Sequence, residues 1–423
     1  MIQNKQTLAW AFYDWANSAF ATVVIAGFFP IFFKEYWAKD LAVTESTFQL
    51  GLANSLASLA IVILAPLLGT IADQSHQKKR FLLFFAFLGI NMTGALFLIE
   101  QGAWSIAIAI YILANIGFMG GNVFYDALIV DITPEKKRDF VSALGYALGY
   151  LGGGVLFALC VIFTQFPATF GFSDAAEAVR FSFIAVALWW LIFSIPILLF
   201  VHEDRQQPTT SSVIWQGFVE LKQTFYEIRQ LKDTFIFLIA YWFYIDGVDT
   251  IIRMAVDYGL ALGFNANSLI LALLITQFVG FPAALAFGKL GERYGARTGI
   301  FIAIATYLLI VLWAFFIEVE AEFYALAFAI GLVQGGIQSL SRSLFSNIIP
   351  PSRSAQFFGF YNMCGKSAAI LGPFLIGWVS VWTNDSRYSI LSIALLFIIG
   401  AFLLFKVNLI RARQQALATE KKQ

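Results

Sequence analysis

Stretches of about twenty apolar residues, the length that crosses a bilayer as helix, recur along the whole chain. Twelve can be counted, near 9–33, 48–72, 80–99, 103–130, 141–165, 180–201, 235–257, 266–289, 298–317, 322–346, 356–380 and 388–408. Backbone polar groups in lipid must be satisfied within the segment, so such a pattern admits helices and little else. Only 13% of the 423 residues are charged, about half the share of a soluble domain. The expected fold is therefore an all-α membrane protein of twelve transmembrane helices, embedded as a multi-pass protein in a lipid bilayer. A net charge of +1 excludes a strongly basic nucleic-acid binder. Cys160 and Cys364 lie in apolar segments without metal-ligand spacing.

The one long polar insertion, 202–233, divides the spans six and six. The expected division is a first six-helix bundle over 1–201, a linker over 202–233 and a second bundle with a short basic tail over 234–423. Within the linker, Val213, Ile214, Phe218, Leu221, Phe225, Ile228 and Leu231 recur at helical spacing, which predicts an amphipathic surface helix. Basic residues concentrate in alternate loops, at Lys78 to Arg80, Lys136 to Arg138, Lys289 to Arg297 and in the tail. By the positive-inside rule both termini are expected to be cytoplasmic.

Charges inside the apolar runs mark functional positions. A charge at mid-bilayer costs roughly 2.5–3.5 kcal/mol even on lenient scales, so each should face protein or water. The seventh span carries Asp246, Asp249, Arg253 and Asp257 within about 80° of one another on one helix face. This face is expected to line a polar pathway; Arg253 is one i,i+4 step from both Asp249 and Asp257, so the alternative for Arg253 and Asp257 is a structural staple, whereas Asp246 and Asp249 outnumber their basic partner. Asp14 lies on the first span, Asp126 on the fourth, Arg342 on the tenth and Lys366 on the eleventh. Asn17, Asn122 and Gln338 share faces with these charges. Five acids against three bases leave a carboxylate surplus, which suits proton loading or an ammonium group, with Asp14, Asp246 or Asp249 as the site. Arg342 is either an anchor for a solute carboxylate or, with Asp126, a gate ion pair. Lys366 neutralises a neighbouring acid or snorkels, and Asn17 bridges helices or contacts solute.

Polar landmarks repeat between the halves. Gly69 precedes Asp73 by four residues and Lys78 by nine; Gly288 precedes Glu292 by four and Arg297 by nine, with Arg293 between. Asp126 stands eight residues before Pro134, and Arg342 eight before Pro350. The two loops are expected to steady a closed state rather than bind cargo. Gly145, Gly149 and Gly153 read as close helix packing. The stretch GFYNMCGKS, Gly359 to Ser367, has five residues where a phosphate-binding loop has four, and no strand precedes it.

The loop pattern resembles the signature of the major facilitator superfamily. The stretches Tyr13 to Phe20, Ser142 to Tyr150, Gly335 to Ser343 and Phe357 to Tyr361 resemble the family of vacuolar amino-acid effluxers linked to autophagy. The chain looks like a compact prokaryotic member, which implies the cytoplasmic (inner) membrane. The resemblance implies two six-helix bundles, alternating access, and a cavity lined by spans 1, 4, 7 and 10. It also implies amino-acid export, with protons as a candidate coupling ion. No cofactor, no enzymatic activity and a monomeric state are expected. A membrane-embedded receptor or scaffold that kept the fold, or a carrier of another metabolite, is the alternative.

Overall fold

A computed structural model describes residues 5–41, 43–203, 229–261, 264–367 and 386–420, together with Gly372, Leu375 and Val379. These residues form helices and short connections. The helices are α1 (Lys5–Trp37), α2 (Val43–Ser75), α3 (Lys78–Leu98), α4 (Trp104–Ile132), α5 (Arg138–Gln165) and α6 (Ala175–Phe200) in the first half of the chain. In the second half come α7 (Lys232–Ala261), α8 (Ala266–Tyr294), α9 (Ala296–Phe315), α10 (Glu320–Ser346), α11 (Ser354–Ser367), α12 (Ile393–Lys406) and α13 (Leu409–Glu420). Among the described residues ten helices are long and apolar enough to cross a membrane, or eleven if α12 and α13, bent by 66°, count as one. The eleventh expected span is described as continuous helix only as far as Ser367. The predicted surface helix lies outside the described residues from 213 to 228.

Exposed apolar side chains such as Phe84, Phe87, Leu309 and Phe402 cover the outer surface, as a hydrocarbon solvent requires. Polar residues turn inward, so the molecule is inverted relative to a soluble helical protein. Small residues set the closest crossings. On α5, a Cβ at Gly149 would lie 2.5 Å from Ser18 Oγ, and one at Gly153 would lie 2.5 Å from Thr22 Oγ1, so α1 and α5 meet through the expected glycine ridge. Gly295 joins α8 to α9 at φ +85°, a conformation that costs an L side chain strain, and so permits a one-residue turn. The α1 helix widens into π-helical turns over Phe20–Phe28 and Phe33–Trp37; such turns are frequent at functional sites.

Both described chain ends lie at the end of the bundle that bears the basic loops. Thr7 Oγ1 donates to Ile132 O at the foot of α4. On α13, Arg413 pairs with Glu135, and Glu420 accepts from the Ser352 N–H and hydroxyl. Asp233 at the start of α7 accepts from Asn408 N and pairs with Arg411. The last helix thus lies as a strap across this end.

Candidate functional site: a polar cavity closed at one end

Between the halves lies a cavity of about 290 Å³. The α1 wall contributes Asp14, Asn17 and Ser18; α4 contributes Asn122, Tyr125 and Asp126; α5 contributes Tyr146 and Tyr150. Facing them are Tyr241 and Asp249 of α7, Gln277 of α8, Gln334, Gln338 and Arg342 of α10, and Lys366 of α11. Most of the charges picked out in the apolar runs therefore reach one space.

Arg342 is the centre of its floor and is 2% exposed. Its Nη1 donates to Asp126 Oδ1 at 3.0 Å and lies 3.9 Å from Asp14 Oδ2. Its Nε donates to Ser142 Oγ at 2.9 Å and its Nη2 to Ser142 O at 2.8 Å. The guanidinium also sits 4.4 Å from the Tyr146 ring centre, 4.9 Å from Trp10 and 5.3 Å from Tyr125. A planar ion with donors at fixed angles suits such a cage, where a lysine would not. The second carboxylate oxygen of Asp126 accepts from Asn362 Nδ2 of α11 at 3.0 Å. Asp126 and Arg342 thus tie α4, α10 and α11 together, in a pair that spans the two halves.

Below this floor, toward the basic loops, the halves are bolted together. A Cβ on Gly69 would run into the carbonyl of Ala355, so α2 and α11 touch backbone to backbone. Beside that crossing Asp73 accepts from the Ala355 N–H at 3.1 Å and the Gln356 N–H at 2.7 Å. These are first-turn amides of α11, which have no acceptor within the helix, and a carboxylate there also meets the positive end of the helix dipole. Lys78 bridges Asp73 at 3.3 Å and Asp131 at 3.0 Å and donates to Ser354 Oγ at 2.7 Å. At the second crossing Gly288 faces Ala143 of α5. Arg138 reaches Ser346 O at 2.8 Å and Asn347 Oδ1 at 3.1 Å, and Ser142 Oγ donates to Ser339 O at 2.7 Å. These charged contacts between halves lie at this end or on the cavity floor, and beyond them Tyr150 Oη reaches Gln338 across the cavity wall. The cavity extends away from this end, toward Ala26 and Ile252.

Other positions singled out in the sequence separate. Asp246 is fully buried and accepts from Gly372 N at 3.2 Å and Thr250 Oγ1 at 3.4 Å, so it points toward Gly372 and is not among the cavity's lining residues. Asn17 donates to Asn122 Oδ1 at 2.6 Å, bridging α1 and α4. Gln338 accepts from Tyr150 Oη at 3.4 Å. The side chains of Arg253 and Asp257 lie outside the described residues. Glu292 and Arg293 are exposed. Arg297 donates to Val407 O and Phe405 O at the end of α12, as Lys79 donates to Leu198 O and Val201 O at the end of α6. That pairing is a second trace of the internal repeat. The tyrosines, Trp10, Ser142 and Asn362 were not legible in advance, because a tyrosine in an apolar run carries no sign of the direction it faces. Tyr146 and Tyr150 lie one helical turn apart beside the glycine ridge, and that spacing was the available signal.

The profile of the family described as "Vacuole effluxer Atg22 like" matches residues 41–417. The uncharacterized MFS-type transporter YxiO of Bacillus subtilis (strain 168) is 40% identical over 403 residues, 95% of this chain and 94% of that protein. Autophagy-related protein 22 of Coccidioides immitis (strain RS) is 23% identical, covering 97% of this chain and 88% of its own. Among solved structures, the major facilitator transporter FucP in the outward conformation superposes with a TM-score of 0.72 at 14% identity, over 96% of this chain and 99% of that one. The human organic anion transporter MFSD10 gives 0.71 at 12% identity, over 95% and 99%. These likenesses fix the fold, and the profile with the Bacillus relative fixes the lineage: the chain belongs to the Atg22-like family of major facilitator transporters.

Proposed function

We propose that this secondary transporter carries a small polar solute by alternating access, exporting amino acids under a proton gradient. In this reading twelve helices form two six-helix bundles, over 1–201 and 234–423, joined by the 202–233 linker. Both termini are cytoplasmic, so the end closed by the Asp73 and Arg342 contacts faces the cytoplasm and the cavity opens to the other side. A cytoplasmic inner membrane and a monomer complete the picture.

The observation that carries the proposal is the cavity itself: buried carboxylates facing a space the size of a small metabolite, above a floor of breakable polar bonds between the halves. A rigid receptor or scaffold has no use for a floor that can part. Arg342 acts here as a gate rather than an anchor, since three of its N–H groups, one on each nitrogen, are engaged by Asp126 and Ser142. The test is counterflow in proteoliposomes loaded with a mixture of unlabelled amino acids, following entry of labelled ones with and without a pH gradient. Accumulation that responds to the gradient supports the reading. Accumulation indifferent to pH removes the proton. No accumulation from folded protein removes amino acids, and equal failure with sugars, peptides and drugs would favour the receptor.

A further inference from the structure

We infer that the cavity reads the uncharged part of its solute, through hydroxyl or carboxamide groups held by Gln277, Gln334 and Gln338. The inference rests on the transporter reading and deepens it, since it says which amino acids the cavity favours.

Three observations lead to this assignment. The first is what the charges of the wall already do. Asp126 accepts from Arg342 and from Asn362, each at 3.0 Å, and the other Arg342 nitrogens donate to Ser142. Asp14 accepts from Ser18 Oγ at 2.9 Å and from Tyr125 Oη at 3.2 Å. Asp249 and Lys366 have partners as well. The ions of the wall are occupied with the protein itself.

The second is what remains. Gln277 of α8 and Gln334 and Gln338 of α10 line the same cavity. Gln338 Oε1 accepts from the Tyr150 hydroxyl at 3.4 Å, and Gln334 lies beside that hydroxyl. A carboxamide has two donors and two acceptor positions, so Tyr150 leaves most of both groups unused. The Gln277 side chain has no hydrogen-bond partner among the described residues, and the unbonded amide atoms of all three are accessible rather than sealed in.

The third is their arrangement. Gln334, Gln338 and Arg342 are successive i,i+4 steps on α10. The two glutamines therefore share the face of the floor arginine and stand about 12 Å and 6 Å above it along the helix. Beside them α8 crosses α10: Thr276 Oγ1 donates to Ala327 O at 3.2 Å, and Thr276 O lies 3.0 Å from where a Cβ on Gly331 would stand. Gln277 follows Thr276, which brings a third carboxamide to the upper wall. A hydroxyl or a second carboxamide offers both donor and acceptor and meets such a wall fully. An alkyl group in the same place displaces water and leaves the amides unpaired, which is how polar sites reject apolar analogues of like shape.

The experiment measures binding by thermal shift on the full chain in nanodiscs, with pairs of like shape: threonine and valine, asparagine and leucine, tyrosine and phenylalanine. D-glucose, D-xylose and myo-inositol offer the same hydroxyl chemistry from another source. In at least one pair the polar member should bind about tenfold or more tightly than its partner. Binding of the sugars alone supports the inference and replaces the amino acid in the transporter reading. Gln334→Leu and Gln338→Leu, each checked for folding by its own melting curve, should weaken the polar solute about tenfold and spare the apolar one. A merely structural glutamine, holding Tyr150 in place, would weaken both alike, and that result overturns the assignment. So do apolar members that bind as tightly as their partners while the sugars stay silent, a result the unmodified protein gives even where a variant does not fold. Failure of every solute with folded protein also overturns it, yet leaves the transporter reading standing if counterflow moves another solute.

Discussion

The two crossings that close the basic-loop end occupy equivalent places in the repeat and are held differently. Where α2 meets α11, the acid four residues after the glycine does the holding: Asp73, in the last turn of α2, is buried, accepts from two amides of α11 and pairs with Lys78. Where α5 meets α8, the corresponding acid, Glu292, is exposed. Its place is taken from the other side, because α5 brings its own acid, Asp139, in its first turn. Asp139 accepts from Ser343 of α10, and its Cβ lies 3.2 Å from where a Cβ on Gly291 would stand. A second carboxylate beside it would be repelled, while one carboxylate suffices to meet the helix dipole. The repeat has kept the glycine contact and moved the charge from the last turn of one helix to the first turn of its partner.

This difference predicts an ordered series of effects on the closed state, each read as the labelling rate of a single cysteine placed on the cavity floor, with Cys160 and Cys364 replaced. Asp73→Ala removes the buried carboxylate that holds two α11 amides and Lys78, which keeps Asp131, so closure should weaken by about 3–5 kcal/mol and labelling should rise most. Gly69→Ala comes next, at about 1–3 kcal/mol, because the new methyl meets a backbone carbonyl that cannot rotate away. Gly288→Ala should cost less than Gly69→Ala, since its nearest neighbour is the Ala143 methyl. Arg413→Ala removes a half-exposed pair between the strap and the first half and should shift closure by about 0.2–1 kcal/mol. Glu292→Gln should do least, within about 0.5 kcal/mol. If Glu292→Gln matched Asp73→Ala, the two crossings would be equivalent after all.

Much of this was legible because a charge in an apolar run has so few places to go. Asp14, Asp126 and Arg342 had to face protein, and they meet on one floor. The glycines of α5 likewise predicted close helix packing, and the helix they meet is α1. What failed was rotation. Asp246 and Asp249 differ by 60° around α7, enough to send one to Gly372 and the other to the cavity. That choice depends on how α7 is turned by its neighbours, among them Phe397 of α12, which packs against Gly247. No local pattern encodes it. The exchange of Glu292 for Asp139 was hidden for a similar reason: spacing marks equivalent positions but not which neighbour already supplies a charge.

Alternating access requires that the two ends of the cavity never be open together. It is tested most directly by distances between spin labels on exposed residues at both ends: Arg80 and Arg293 near the basic loops, Glu100 and Glu318 opposite. In Asp73→Ala protein the Arg80–Arg293 distance should lengthen while the Glu100–Glu318 distance shortens, and a transported solute should shift the same two populations. Distances that stay fixed, or that lengthen together, would contradict alternating access in this protein.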